Sequence, residues 1–139
     1  MQIGRHLLTF TLIVLSLTPG CSRSPIDSTH WTLVEMGTED QMAPLIDGTE
    51  IRLEFAAMDG IVRGVAGCNT YSASYTADAE TVDIGEIIST RIHCDPPEVM
   101  EQEARYLQAL SEAERFELEG DELTLTGGVL TLVFERDWL

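Results

Sequence analysis

The chain has 139 residues, and its eight basic residues, all arginine, stand against 24 acidic ones, for a formal charge of −16. That balance excludes a nucleic-acid partner, because no basic stripe is present to displace counterions from phosphates, and it disfavours attachment to anionic lipid through protein charge. The acids run from Asp27 to Asp137 instead of forming a tail, which is the pattern of a solvated surface.

Residues 1–20 read as an export signal. Arg5 and His6 form a short basic region, Leu7 to Leu17 give a mostly apolar stretch, and Gly20 places a small side chain directly before Cys21. The stretch is shorter than a bilayer-spanning helix requires. Leu17-Thr18-Pro19-Gly20-Cys21 resembles the end of a bacterial lipoprotein signal, with Leu one place further from the cysteine than usual. Cys21 is therefore the expected lipid-attachment residue and the first residue of the mature chain. An ordinary cleaved signal and an uncleaved anchor are the alternatives, and all three carry the domain across the inner membrane. Ser22, where a retained lipoprotein would carry Asp, resembles the outer-membrane sorting pattern, so the expected location is the cell envelope, lipid-anchored and facing the periplasm. Residues 21–29 are polar and aperiodic and read as a short tether. The domain is expected over residues 30–139, near the usual size for one domain.

From His30 the pattern is that of strands. Trp31, Leu33 and, less clearly, Glu35 alternate with Thr32, Val34 and Met36, and Ile51, Leu53 and Phe55 alternate with Arg52, Glu54 and Ala56. Between them, Gly37 to Thr49 contains Pro44 and an Asp47-Gly48 turn signal. Asp59-Gly60 separates Ile51–Ala57 from Ile61–Ala66 as a hairpin, since Asp-Gly accommodates positive φ. Tyr71, Ala73 and Tyr75 share one face of the next strand, Val82 and Ile84 one face of a short one, and Glu86 to Ile92 is a further apolar run.

The clearest helix begins at Asp95-Pro96-Pro97-Glu98, with Asp95 expected as cap and Pro96 in the first turn. Its expected apolar stripe is Met100, Ala104, Leu107 and Leu110, leaving Glu101, Arg105 and Glu112 outside. Period two then returns in Phe116 and Leu118, in Leu123 and Leu125, and in Leu130, Leu132 and Phe134, with turns at Gly120-Asp121 and Gly127-Gly128. The expected fold is mainly β: an antiparallel sheet of about seven to nine strands with one amphipathic helix inserted before the last three. Alternation alone leaves a barrel and a sandwich open.

With Cys21 assigned to the signal junction, Cys68 and Cys94 remain as an even pair in an oxidising compartment, and a disulfide is the natural inference. Two free buried thiols, a metal site and a thiol served by His93 are the other readings. Adjacent His93 and Cys94 on a strand would point to opposite faces, and the spacing matches no ligand signature. No metal and no cofactor are expected. The histidines after the signal are His30 and His93, and neither a Gly-x-Ser-x-Gly elbow nor a His-Glu-x-x-His motif occurs, so no catalytic residue is assigned.

Gly64, Gly67-Cys68-Asn69 followed by Tyr71 and Tyr75, Ile84-Gly85, Ser89-Thr90-Arg91, Cys94, Met100-Glu101-Gln102-Glu103, Tyr106-Leu107, Leu110 and Gly120-Asp121-Glu122-Leu123-Thr124-Leu125 together resemble the META domain, the heat-shock-inducible HslJ type of family. The resemblance covers roughly Trp31 to Arg136. It departs at Ala73, where glycine is more usual, and at His93, where a small residue is. It implies a conical, open antiparallel β-barrel with a helix. The family is associated with heat shock, antibiotic tolerance in the envelope, secretion and motility, without an accepted catalytic activity, so no enzyme is expected. Gly67-Cys68-Asn69 reads as a structural turn, with an exposed recognition loop containing Asn69 as the functional alternative. Arg91 is the candidate for an anionic contact, against pairing with one of the many acids. Two functions are expected from this. One is an envelope-anchored binding or accessory module that holds an apolar ligand or docks an envelope protein. The other is a stress-protective domain with a filled barrel.

Overall fold

Ten strands and one helix form among residues 23–138, the residues described by the computed structural model. The expected signal at 1–20 and the expected lipid-attachment residue, Cys21, lie outside the described residues. The strands are β1 (His30–Thr38), β2 (Gln41–Pro44), β3 (Ile51–Ala56), β4 (Ile61–Ala66), β5 (Thr70–Ala77), β6 (Val82–Ile84), β7 (Ile88–Ser89), β8 (Arg115–Glu119), β9 (Glu122–Thr126) and β10 (Thr131–Arg136), with helix α1 (Pro97–Ser111) before the last three.

The main sheet runs β6-β5-β4-β3-β1-β10-β9-β8, entirely antiparallel, with β2 added beside β1 and β7 beside β5. Its two outer strands meet. Thr81 bridges Arg115, the Val82 amide donates to the Glu114 carbonyl at 3.1 Å, and the Phe116 amide donates to the Glu80 carbonyl at 3.0 Å. The result is a nearly closed eight-stranded barrel, a size at which side chains fill the interior. Trp31, Leu33, Ile51, Leu53, Phe55 and Phe134 are fully buried there, each from an alternating strand position.

Both barrel ends are plugged. At one end α1 sends in Tyr106 and Leu110, with the Tyr106 ring edge-on to Tyr71 and to Phe134 at centroid distances of 5.7 and 6.4 Å. At the other end the plug is Ile26, which is 0% exposed. The segment expected as a tether is therefore docked from Ser24 onward. Asp27 accepts from the Tyr75 hydroxyl at 2.7 Å, the Ser24 hydroxyl donates to the Asp78 carbonyl at 2.7 Å, and Ser28 and Thr29 exchange backbone bonds with Phe55. A single apolar residue in a polar stretch gives no periodicity, which is why the docking is silent in the pattern.

Three other expectations change. A bulge between Leu33 and Glu35 shifts the phase of β1, so Met36 instead of Glu35 turns inward. The Gln41–Pro44 stretch, which shows no alternation, pairs with β1, and the hairpin can close this tightly because Gly37 has no side chain to collide with the Gln41 carbonyl. The helix starts one residue late, with Pro96 at the cap position and no side-chain cap bond from Asp95. Its buried face is Val99, Gln102, Glu103, Tyr106, Ala109 and Leu110, whereas Ala104 is exposed and Met100 and Leu107 are only half-buried. The stripe is rotated because two of its members are polar and find partners inside the fold.

Ala73 sits buried in an ordinary strand position, so its departure from glycine requires nothing unusual. His93 is largely exposed beside Asp95 at 3.7 Å, so no buried partner is needed. The apolar run at Glu86 to Ile92 forms only the two-residue β7.

Candidate functional site

Helix α1 brings Gln102 and Glu103 to the barrel end formed by the β4–β5 turn and the loop before β3. Gln102 accepts from the Ile46 amide at 2.8 Å and donates to the Thr49 hydroxyl at 2.9 Å. Glu103, 5% exposed, takes its bonds from the turn itself. One carboxylate oxygen accepts from the amides of Cys68 and Asn69 at 3.1 and 2.7 Å, and the other accepts from Asn69 Nδ2 at 2.6 Å. Gly67, at φ +103°, supplies the left-handed backbone that aims consecutive N–H groups at one acceptor.

Asn69 relays this anchor outward. Its Nδ2 also donates to the Ile92 carbonyl at 3.0 Å, and its Oδ1 accepts from the Thr90 hydroxyl at 2.8 Å and the Ile92 amide at 2.7 Å. Those bonds use every position that an asparagine amide offers. The reading of Asn69 as an exposed contact is therefore corrected: it is 1% exposed, and its partners are mostly in the Thr90–Ile92 segment instead of its own turn.

The same two segments are joined covalently. Cys68 and Cys94 form a disulfide with Cα atoms 6.0 Å apart. From β7 to the disulfide the chain exposes Ile88 (72%), Arg91 and Ile92 (60%). The expected pairing of Arg91 with an acid is not found. Ion pairs among the described residues join Arg52 to Glu50 at 2.6 Å, Arg63 to Glu54 at 2.8 Å and His93 to Asp95, and none includes Arg91. The hydrogen bond from Arg63 holds the Glu54 carboxyl below its usual value; burial opposes it, and the nearby Arg63 and His30 charges add to the lowering.

Beneath this surface lies a tyrosine pair. The Tyr71 hydroxyl donates to the Arg52 carbonyl at 3.0 Å and stands 2.6 Å from the Tyr106 hydroxyl, which leaves Tyr106 as the donor between them. Burial pushes both hydroxyls well above the ordinary tyrosine value, and only for Tyr71 does the bond from its partner offset part of the rise. Gly64 makes room for this arrangement, because a side chain there would collide with the Arg52 carbonyl and crowd the Tyr71 hydroxyl.

At the opposite end, Arg136 lies over the Trp31 ring at 4.6 Å and under Trp138 at 5.2 Å, its Nε buried without a hydrogen-bond partner. A groove of about 540 Å³ follows the barrel seam, lined by Pro25, Glu80, Arg115, Phe116 and Glu117 among others. At the helix end, the buried polar side chains of Gln102, Glu103 and Asn69 find their hydrogen-bond partners within the fold. The arrangement is suited to holding a surface segment in one conformation.

The META domain family model matches residues 24–138, so the match begins at the docked Ser24. No curated protein matches the sequence. Among solved structures, the chain is similar to a protein from Burkholderia xenovorans determined by NMR, at 26% identity and a TM-score of 0.69, covering 82% of this chain and 85% of that one. It shares its fold with a second NMR structure at 19% identity and a TM-score of 0.62, covering 79% and 90% of the two chains. It also shares its fold with a DUF4847 family protein from Bacteroides vulgatus, a crystal structure, at 18% identity and a TM-score of 0.54, covering 81% and 95%. The barrel with its inserted helix and the match over residues 24–138 establish that the chain belongs to the META domain family.

Proposed function

We propose that the chain is a lipid-anchored, non-catalytic accessory module of the bacterial cell envelope, held to the outer membrane through Cys21, which docks an envelope protein through its Ile88–Ile92 segment. The observation that carries this reading is the use of all four Asn69 side-chain positions to fix Thr90–Ile92 and its neighbours. Arg91 is thereby presented, unpaired, between two exposed isoleucines. In a chain of charge −16 this is a place where an acidic partner meets attraction instead of repulsion. The matching chemistry is a carboxylate with an apolar rim, since flanking isoleucines exclude water from an arginine–carboxylate bond and strengthen it.

The disulfide supports an oxidising compartment. Trp31, Phe55, Tyr106 and Phe134 occupy the barrel interior, which favours docking over an internal apolar ligand. Family associations with heat shock and secretion favour a partner in envelope stress response or export. The same filled barrel favours a second reading, a purely protective structural domain.

A photo-crosslinking residue at Ile92, in the full exported chain, separates the two. Docking gives an adduct with one identified envelope protein that disappears with Arg91→Glu while the thermal melt is unchanged. No adduct, or one indifferent to Arg91→Glu, overturns docking in favour of the protective domain. An apolar mass co-purifying in native mass spectra and released on denaturation would overturn the filled-barrel argument.

A further inference from the structure

We infer that the barrel end plugged by Ile26 rests on the membrane surface, with Trp138 and Met58 in the headgroup layer and the Arg91 end turned into the periplasm. The inference rests on the proposed lipidation of Cys21 and adds an orientation to it. The first reason is reach. Ser24 is already docked through Asp27 and Asp78, so only Ser22 and Arg23 separate it from the lipid-bearing residue. Three residue steps span at most about 11 Å fully extended, too little for a domain of this size to turn over or stand clear of the bilayer.

The second reason is what this end displays. Met58, in the β3–β4 turn, is 94% exposed, and Trp138, just after β10, is 75% exposed. Topology puts both beside the docked segment. Ser28 bonds Phe55 at the end of β3, and the Asp137 amide bonds the His30 carbonyl at the start of β1. Trp138 is the outer member of the Trp31–Arg136–Trp138 stack that covers this end. An indole backed by a guanidinium is suited to the interface, where its ring meets acyl chains while its N–H and the nearby cation meet headgroups.

Charge sets the lipid class. Asp59, Asp78, Asp121 and Asp137 belong to the turns and strand ends of this side, so anionic headgroups are repelled and a zwitterionic surface is preferred. At the far end the exposed apolar residue of the β9–β10 turn, Val129, serves as the reference position.

The test uses the full chain, purified from membranes with its anchor. Intact mass is measured first, then tryptophan emission in phosphatidylcholine vesicles with and without bromine on the acyl chains. Brominated lipid is expected to quench the wild type and to lose that effect in Trp138→Phe, which retains only buried Trp31. In the Trp138→Phe background, Met58→Trp restores quenching and Val129→Trp does not. A flexible insert of about ten residues after Cys21 reduces the quenching, as does a rising fraction of phosphatidylglycerol. Absence of lipid mass overturns the anchor and this orientation together. Lipid mass with equal quenching in wild type and Trp138→Phe, or quenching at position 129 and not 58, overturns the orientation and leaves the anchor standing.

Discussion

Glu103 and Asn69 meet across the barrel end with three hydrogen bonds within reach of a single carboxylate, two of them from Asn69 itself at 2.7 and 2.6 Å. A carboxylate has only acceptors, and here all its partners are donors. Glu103→Gln keeps the shape and places an N–H group against Asn69 Nδ2 or against the backbone amides, so donors face donors in a buried site. The expected loss is about 2–3 kcal/mol, read as a lower urea midpoint with an unchanged slope. Hydrogen exchange of the Ile92 amide, which Asn69 holds, should accelerate with it. An unchanged midpoint would show that the carboxylate does not hold the turn.

The tyrosine pair is directional, and its two phenylalanine variants should therefore differ. Tyr106→Phe removes a donor and leaves the Tyr71 hydroxyl bonded to Arg52, at a cost of about 1 kcal/mol. Tyr71→Phe strips Tyr106 of its acceptor in a fully buried position, leaving the Arg52 carbonyl without that donor as well, and should cost about 2–3 kcal/mol. Equal losses in denaturant melts would overturn the assignment of donor and acceptor, and a larger loss for Tyr106→Phe would reverse it. Gly64→Ala, which fills the space beside the same hydroxyl, should cost about 3 kcal/mol by forcing β3 and β4 apart.

Alkaline pH acts on the same groups. Burial raises the hydroxyls of Tyr71, Tyr75 and Tyr106, and Asp27 beside Tyr75 adds to the rise there. Above the ordinary value near 10 the unfolded chain has released protons that the folded chain still holds. Stability is therefore fully present below that value and falls as pH rises toward the folded-state values. Tyrosinate absorbance should remain low past pH 10 in the native chain and appear together with loss of near-ultraviolet circular dichroism. Absorbance rising well before unfolding would mean that water reaches these hydroxyls.

The sheet was legible where one face is apolar and the other polar, as in Ile51, Leu53 and Phe55, or Tyr71, Ala73 and Tyr75. The Asp59-Gly60 hairpin and the position of the helix were legible for similarly local reasons. What stayed hidden involves partners distant in sequence. Gln102 and Glu103 look like solvent-facing residues on a helical wheel, yet their acceptors and donors lie 56 and 34 residues away. Asn69 reads as a turn residue and serves a segment 23 residues on. Ile26 looks like an isolated residue in a spacer, and only the closed barrel end explains it. Periodicity reports one-sided burial, whereas buried polar residues with remote partners leave no period to find.

The disulfide offers the last prediction. Its loop of 26 residues restricts the unfolded chain, and removing it with Cys68→Ser and Cys94→Ser should cost about 3 kcal/mol. The native arrangement should nonetheless survive, because Glu103 and Asn69 tie the same two segments without it. The expected result is a lower melting temperature with a native-like amide spectrum, including an Asn69 side-chain signal still protected from exchange. Adding Glu103→Gln to the serine variant should then release the Ile88–Ile92 segment, seen as loss of that protection and faster exchange of the Ile92 amide. If the serine variant alone loses the protected signal, the crosslink and not the buried carboxylate sets the position of Arg91.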